Sequence, residues 1–158
     1  MNTSFDRQKG NDEWLTPKYI TDDLGPFDLD PCSPINRPWD TANKHYTVED
    51  DGLVQEWKGH FIFCNPPYGT ETFKWIKKLS EHDGIALIFA RTDTKGFHSE
   101  IFDKADAILF IKGRLRFCTV EGVQAQAAGA PSCLVAYGEE AVKRLERSTI
   151  KGRLVMLK

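Results

Sequence analysis

A chain of 158 residues, 41% hydrophobic and 28% charged, is long enough for one domain with its own core, and its composition excludes low-complexity and disulfide-stapled classes. A formal net charge of -2 excludes a broadly basic nucleic-acid coat, so any nucleic-acid contact must come from a local basic patch. The four cysteines (Cys32, Cys64, Cys118 and Cys133) show no CxxC spacing and read as reduced, mostly buried thiols; the four histidines share no ligand spacing, and no metal is expected.

Residues 1–11 are polar and hold a single Phe, the composition of a mobile arm, so one domain is expected over 12–158. No signal peptide and no apolar run of about 18 residues occurs, which predicts a cytoplasmic chain without membrane contact. In Asp12-Glu13-Trp14-Leu15-Thr16-Pro17, Thr16 reads as an N-cap and Pro17 as a first-turn residue opening a short helix closed by Gly25 and Pro26. The free N–H groups at that start can bind a carboxylate. Residues 27–32 (FDLDPC) read as a short strand stopped by Pro31, with Asp28 and Asp30 on one side by parity and Asp30 at the strand's mouth. Facing a cationic ligand and lying solvated on an edge strand both fit these acids.

The stretch 33–59 is irregular, with Val54 and Trp57 in reach of a short helix, and long enough to suggest function. Asp50, in the run Glu49-Asp50-Asp51-Gly52, can serve as a ribose-diol ligand or stand in a solvated turn. A buried strand is predicted at 60–64, then the turn Asn65-Pro66-Pro67-Tyr68, then a helix with Phe73, Ile76 and Leu79 on one face and Lys74, Lys77 and Lys78 in solvent. Further strands are expected at 84–90, 107–111, 132–137 and 154–157, with helices at 97–104 and 139–147. Arg91 follows the second buried strand on the same edge as Asn65. Residues 113–117 (GRLRF) alternate, placing Leu115 and Phe117 on one side and Arg114 and Arg116 on the other. The arginines suit a phosphate backbone or an exposed hairpin edge, and Phe117 can close one face of a base pocket. Residues 119–131 read as a small-residue loop that can order over substrate.

The Asn-Pro-Pro-Tyr turn suits attack by an exocyclic amine on an electrophilic methyl group. Such an amine is a poor nucleophile because its lone pair is delocalised into the ring. With its amide free, Asn65 can accept one amine N–H on its oxygen and the Pro66 carbonyl another, drawing nitrogen toward tetrahedral geometry and stabilising the positive charge that develops. Pro66 has a fixed φ that aims its carbonyl, Pro67 enforces the break, and Tyr68 can stack on the base.

Taken in order, DEWLTP (12–17), FDLDP (27–31), NPPY (65–68), ARTDT (90–94) and GRLRF (113–117) resemble the phage-type, Dam-like DNA N6-adenine methyltransferases over roughly residues 11–137. The resemblance implies an α/β, Rossmann-like S-adenosylmethionine-dependent methyltransferase fold with a compact sheet and few helices. It also implies S-adenosylmethionine as donor, DNA adenine as acceptor, and a phage or prophage protein working in host cytoplasm. It assigns Asn65, Pro66, Pro67 and Tyr68 to catalysis, and Trp14, Thr16, Pro17, Asp30 and Pro31 to the cofactor, beside Asp28 and Asp50 as acidic candidates. Arg91, Arg114, Arg116 and Phe117 are the substrate candidates. The usual Gly-rich turn after the first strand is replaced by Cys32-Ser33-Pro34-Ile35-Asn36, and the short interval from Asp30 to Asn65 predicts a reduced sheet. The alternatives are methyl transfer to RNA guanine N2 or protein glutamine, and a non-catalytic DNA- or cofactor-binding module.

Overall fold

Alternation of apolar residues along each strand decides which layer of the molecule its side chains enter. In the computed structural model, which describes residues 14–158, β3 (Phe61–Cys64) sends Phe63 to one face and Ile62 and Cys64 to the other. Its neighbour β4 (Asp83–Phe89) sends Ile85, Leu87 and Phe89 to the first face and Ala86 and Ile88 to the second. Helices α1 (Lys18–Leu24) and α3 (Glu139–Glu146) cover the first face through Ile20, Leu24, Ala141 and Leu145. Helix α2 (Thr72–Leu79) and a π-helical segment, Phe97–Phe102, cover the second through Ile76, Leu79, Phe97 and Ile101. The arm expected over 1–11, with Asp12 and Glu13, lies outside the described residues.

The remaining strands are β1 (Leu29–Asp30), β2 (Lys44–His45), β5 (Ala107–Ile111), β6 (Ser132–Tyr137) and β7 (Gly152–Met156). They complete a seven-stranded sheet in the order β2-β1-β3-β4-β6-β5-β7. Strands β2, β1, β3 and β4 are mutually parallel, while β6 runs antiparallel to both β4 and β5. The chain leaves β1 for β2 on one side, and β3 pairs on the other, so the sheet has a topological switch point between β1 and β3. This α/β architecture, a mixed seven-stranded sheet with few helices, is compatible with the Rossmann-like methyltransferase fold that the resemblance implies.

The expected reduction is confined to the stretch before β3. Strands β1 and β2 have two residues each, and a single 3-10 turn, Gly52–Val54, stands where a crossover helix would pack. Trp57 fills that volume: it is fully buried, stacks on Trp75 at 6.2 Å, and donates its indole N–H to the Gly52 carbonyl at 2.8 Å. Lys78, expected in solvent, instead lies 5.0 Å from the Trp57 ring and donates to the carbonyls of Leu53 (2.7 Å) and Gln55 (2.6 Å), satisfying groups at the end of the 3-10 turn. Gly52 is required here, because a Cβ would stand 2.1 Å from the Pro31 carbonyl oxygen.

Arg144 ties α3 to the turn after α1. Its guanidinium lies 4.1 Å over the Phe61 ring, and it donates to the carbonyls of Leu24 (3.0 Å) and Pro26. Replacing Arg144 with Ala removes charge-assisted bonds to the Leu24 and Pro26 carbonyls together with the guanidinium's packing on Phe61, and should cost about 2 kcal/mol. Urea or thermal unfolding checks this, with Arg147→Ala, a neighbour whose side chain is 60% exposed, expected to change stability by less than about 0.5 kcal/mol.

Candidate active site

Parallel pairing brings the ends of β1, β3 and β4 to one edge of the sheet, and β5, which shares their direction, ends there too. Asp30-Pro31, Asn65 to Tyr68, Arg91 and the segment after Ile111 therefore meet by topology, and β6 begins among them at Ser132. Among the described residues no His, Cys, Asp or Glu cluster is disposed to hold a metal ion.

Asn65 is held by both atoms of its amide. Its Nδ2 donates to Thr16 Oγ1 at 3.1 Å, and the Tyr68 hydroxyl donates to its Oδ1 at 3.3 Å. The free amide expected from the sequence is thus engaged within the chain. Thr16 is buried and does not cap α1, its hydroxyl being turned to Asn65; Pro17, which has no polar side-chain atom, occupies the N-cap position. Leu15 fixes the threonine by pairing with Cys118 through two backbone bonds of 2.8 and 2.9 Å, while Trp14 beside it is half-buried. Pro66 is buried, and Thr72 at the start of α2 donates to the Pro67 carbonyl at 2.6 Å, so the turn is clamped from both sides. Among the described residues no hydrogen bond reaches the Pro66 carbonyl.

The Tyr68 ring stacks on Phe89 with centroids 4.3 Å apart and planes 11° from parallel, and meets the edge of Phe117 at 6.2 Å. Burial pushes the Tyr68 phenol well above its ordinary pKa, so it remains a hydrogen-bond donor throughout the working range. Phe117 is fully buried and packs against Tyr68 instead of lining an open wall. Burial likewise drives the Cys64 thiol well above its usual range, and all four cysteines are free thiols.

Asp30 does not stand open at the mouth of β1: it is only 4% exposed. The Thr41 hydroxyl donates to its Oδ2 and the Cys32 N–H to its Oδ1 at 3.1 Å, so the carboxylate organises the turn that replaces the Gly-rich one. Burial raises its pKa to about 6, against the lowering effect of Thr41, Cys32 and Arg37. Asp28, assigned to the same side, is exposed and accepts the Phe61 N–H at 2.7 Å, at the opposite end of β3 from Asn65. Asp50 lies in an exposed turn where it accepts the Thr47 N–H at 2.8 Å.

The alternation predicted for 113–117 is observed. Leu115 and Phe117 are buried while Arg114 and Arg116 are exposed. Residues 119–131 fold back on this segment as a paired hairpin: the N–H groups of Ala125 and Ala128 donate to the carbonyls of Phe117 and Leu115, both at 2.8 Å. Arg114 and Arg116 hold the return strand through the carbonyls of Ala128 (3.2 Å) and Ala125 (3.3 Å). Gly122, at φ +86, abuts the loop after β1, where a Cβ would stand 3.1 Å from Pro38 Cγ. The two irregular stretches thus touch across the edge that carries Asn65. Arg91 lies half-buried with its guanidinium 5.6 Å from the Phe89 ring. Sequence reasoning missed Thr41 and Ser132: Thr41 sits in an irregular loop with no local pattern, and Ser132 reads as the first residue of an apolar strand.

A family model described as DNA N-6-adenine-methyltransferase (Dam) matches residues 3–153. No curated protein and no solved structure matches the chain.

Asp30 also makes stability depend on pH. Its carboxyl is raised from 3.8 to about 6 on folding, so the folded state holds the proton more tightly than the unfolded chain. The resulting stabilisation is present below about pH 4 and is lost as pH rises to about 6, amounting to roughly 3 kcal/mol across that window. Urea unfolding of wild type and Asp30→Asn at pH 4 and pH 7.5 should show the mutant gaining on wild type by about that amount at the higher pH. Parallel pH profiles for the two proteins would contradict this assignment.

Proposed function

The chain belongs to the DNA N-6-adenine-methyltransferase family, and from that premise we propose that it methylates the N6 amino group of adenine in DNA with S-adenosylmethionine, using the Asn65-Pro66-Pro67-Tyr68 turn. The observation that carries the reading is the fixed pose of Asn65. With Nδ2 committed to Thr16, the amide cannot present its donor side to the acceptor amine, and Oδ1 is the atom turned toward Tyr68.

When bound, the cofactor supplies a methyl group made electrophilic by a positively charged sulfur. The residues at the switch point suit such a cation: the buried Asp30 carboxylate ends the strand next to Asn65, and a carboxyl held near pKa 6 by burial gains much from a neighbouring positive charge. The cofactor would also meet Trp14, Thr16, Pro17 and Pro31 at this edge, a reading supported by the Thr16 bond to Asn65. Asp50 is engaged in its own exposed turn, and Asp28, which accepts the Phe61 N–H, fits a strand-end role better than a ligand role.

Asn65 Oδ1 and the Pro66 carbonyl each accept an N–H of the target amine, which localises the nitrogen lone pair for attack on the methyl carbon. With S-adenosylmethionine bound, its methyl group would pass to the amine and the rest of the cofactor would leave as a neutral thioether, while the Asn65 and Pro66 oxygens would hold the nitrogen as it becomes cationic and then releases its proton to solvent. No strong base is needed, because the proton leaves after the nitrogen has become acidic. A base within duplex DNA is out of reach of this turn, so it is flipped out or presented single-stranded. Arg91, Arg114 and Arg116 would meet the backbone; a guanidinium has five N–H donors, so the bonds of Arg114 and Arg116 to the hairpin carbonyls can persist with phosphate bound. Site preference would then rest with the touching loops, 33–56 and 113–131.

Transfer of labelled methyl from S-adenosylmethionine to unmethylated DNA tests the reading. We expect label on adenine N6, a loss of about 10²–10³-fold in kcat for Asn65→Ala, and about tenfold for Thr16→Val. Thr16→Ser should recover most of that loss, since it restores the hydroxyl. Cofactor binding with label only on RNA or protein would overturn the DNA assignment.

A further inference from the structure

One buried polar group beside the Tyr68 stack has no role in the packing. Ser132 opens β6 and is 1% exposed, yet its hydroxyl has no hydrogen-bond partner. A hydroxyl can rotate to reach any nearby acceptor, and a buried one left unpaired costs free energy that an alanine at the same position would not. The backbone around it is firmly set, with the Ala90 N–H donating to the Pro131 carbonyl at 2.8 Å and Ser132 paired to Phe89 across the antiparallel ladder. Residues directly opposite in such a pair point to the same face with Cβ atoms about 5 Å apart. Leu134 and Ala136, two and four residues on, enter the same apolar cluster as Phe89, which confirms the parity.

Phe89 is also the ring that stacks on Tyr68, nearly parallel at 4.3 Å. A flat heterocycle lying on Tyr68 in the place of Phe89 would have the Ser132 hydroxyl at its edge. From this juxtaposition we infer that Ser132 is a base-binding residue: its hydroxyl donates to one of the two ring nitrogens that flank the amine of the target adenine. The inference rests on the methyl-transfer reading above and adds a third polar contact to the two acceptors at Asn65 and Pro66. It also assigns the base to the Phe89 side of the Tyr68 ring.

The test pairs a substitution with a substrate change. Full-length wild type and Ser132→Ala are assayed for labelled-methyl transfer to DNA containing adenine, 1-deazaadenine or 7-deazaadenine. Wild type should lose about tenfold in kcat/KM on one of the two analogues. Ser132→Ala should lose about tenfold on adenine and nothing further on that same analogue. Its cofactor affinity should be unchanged, and its Tm equal to or above that of wild type, since an unpaired hydroxyl has been removed. Wild-type indifference to both analogues, unimpaired kcat/KM in Ser132→Ala, or losses that multiply would each overturn the inference while leaving methyl transfer intact. A wild type that labels no DNA overturns the methyl-transfer reading and this contact with it.

Discussion

The parallel pairing of β1, β3 and β4 is the constraint from which the rest of the site follows. Parallel neighbours end on the same edge, so a strand-terminal residue of each is brought within reach of the others whatever the connecting chain does. Because the chain leaves β1 in one direction and β3 lies in the other, the loops that follow them diverge at the switch point between Asp30 and Asn65. Antiparallel β6 then enters the same edge from outside and delivers Ser132 and Pro131 beside Phe89. No separate domain is needed to assemble the candidate groups; strand direction does it.

The first third of the chain shows how few residues this takes. Where a larger protein would place helices between β1, β2 and β3, this one uses the buried Trp57, a 3-10 turn capped by Lys78, and the close approach of Gly52 to the Pro31 carbonyl. The turn after β1 has lost its glycines and is ordered from within by Asp30, through the Cys32 N–H and the Thr41 hydroxyl. That ordering requires a buried carboxylate, and its desolvation opposes ionisation. The same carboxyl group lies at the end of the strand that pairs with β3, so the residue that shapes the turn also stands on the edge that carries Asn65.

What was legible in the sequence is what local pattern encodes. The run before Asn65 and the doubled proline mark a buried strand and a forced turn, and the alternation in 113–117 correctly separates Leu115 and Phe117 from the two arginines. Long-range side-chain contacts leave no such trace. Thr16 has the neighbours of an N-cap, and only the folded chain reveals that its hydroxyl is taken by an amide 49 residues away. Asp28 and Asp30 share parity, yet one closes the start of β3 and the other is sealed in a turn, because β1 has only two residues and parity does not extend past a strand's end. The stretch 119–131 reads as a loop from its small residues. It is a hairpin because residues 115–117, which carry no turn signal of their own, offer it carbonyls to pair with.

The arrangement around Tyr68 bears on selectivity. Its hydroxyl satisfies Asn65 Oδ1, and its ring is covered by Phe89, so the site in this state is closed upon itself. The two internal contacts differ in strength. At 3.3 Å the hydroxyl bond to Asn65 is long for an O–H···O contact, whose usual length is about 2.7–2.8 Å, and is given up at little cost. The ring stack is close and is given up only to another flat surface, since near-parallel aromatic pairs contribute about 0.5–1.5 kcal/mol beyond the area they bury. A ligand that brings an amine without a ring leaves Phe89 in place, and a ring without an amine finds the Asn65 oxygen still held by Tyr68. A planar base with an exocyclic amine at its edge would replace both contacts at once, as the proposed reading requires.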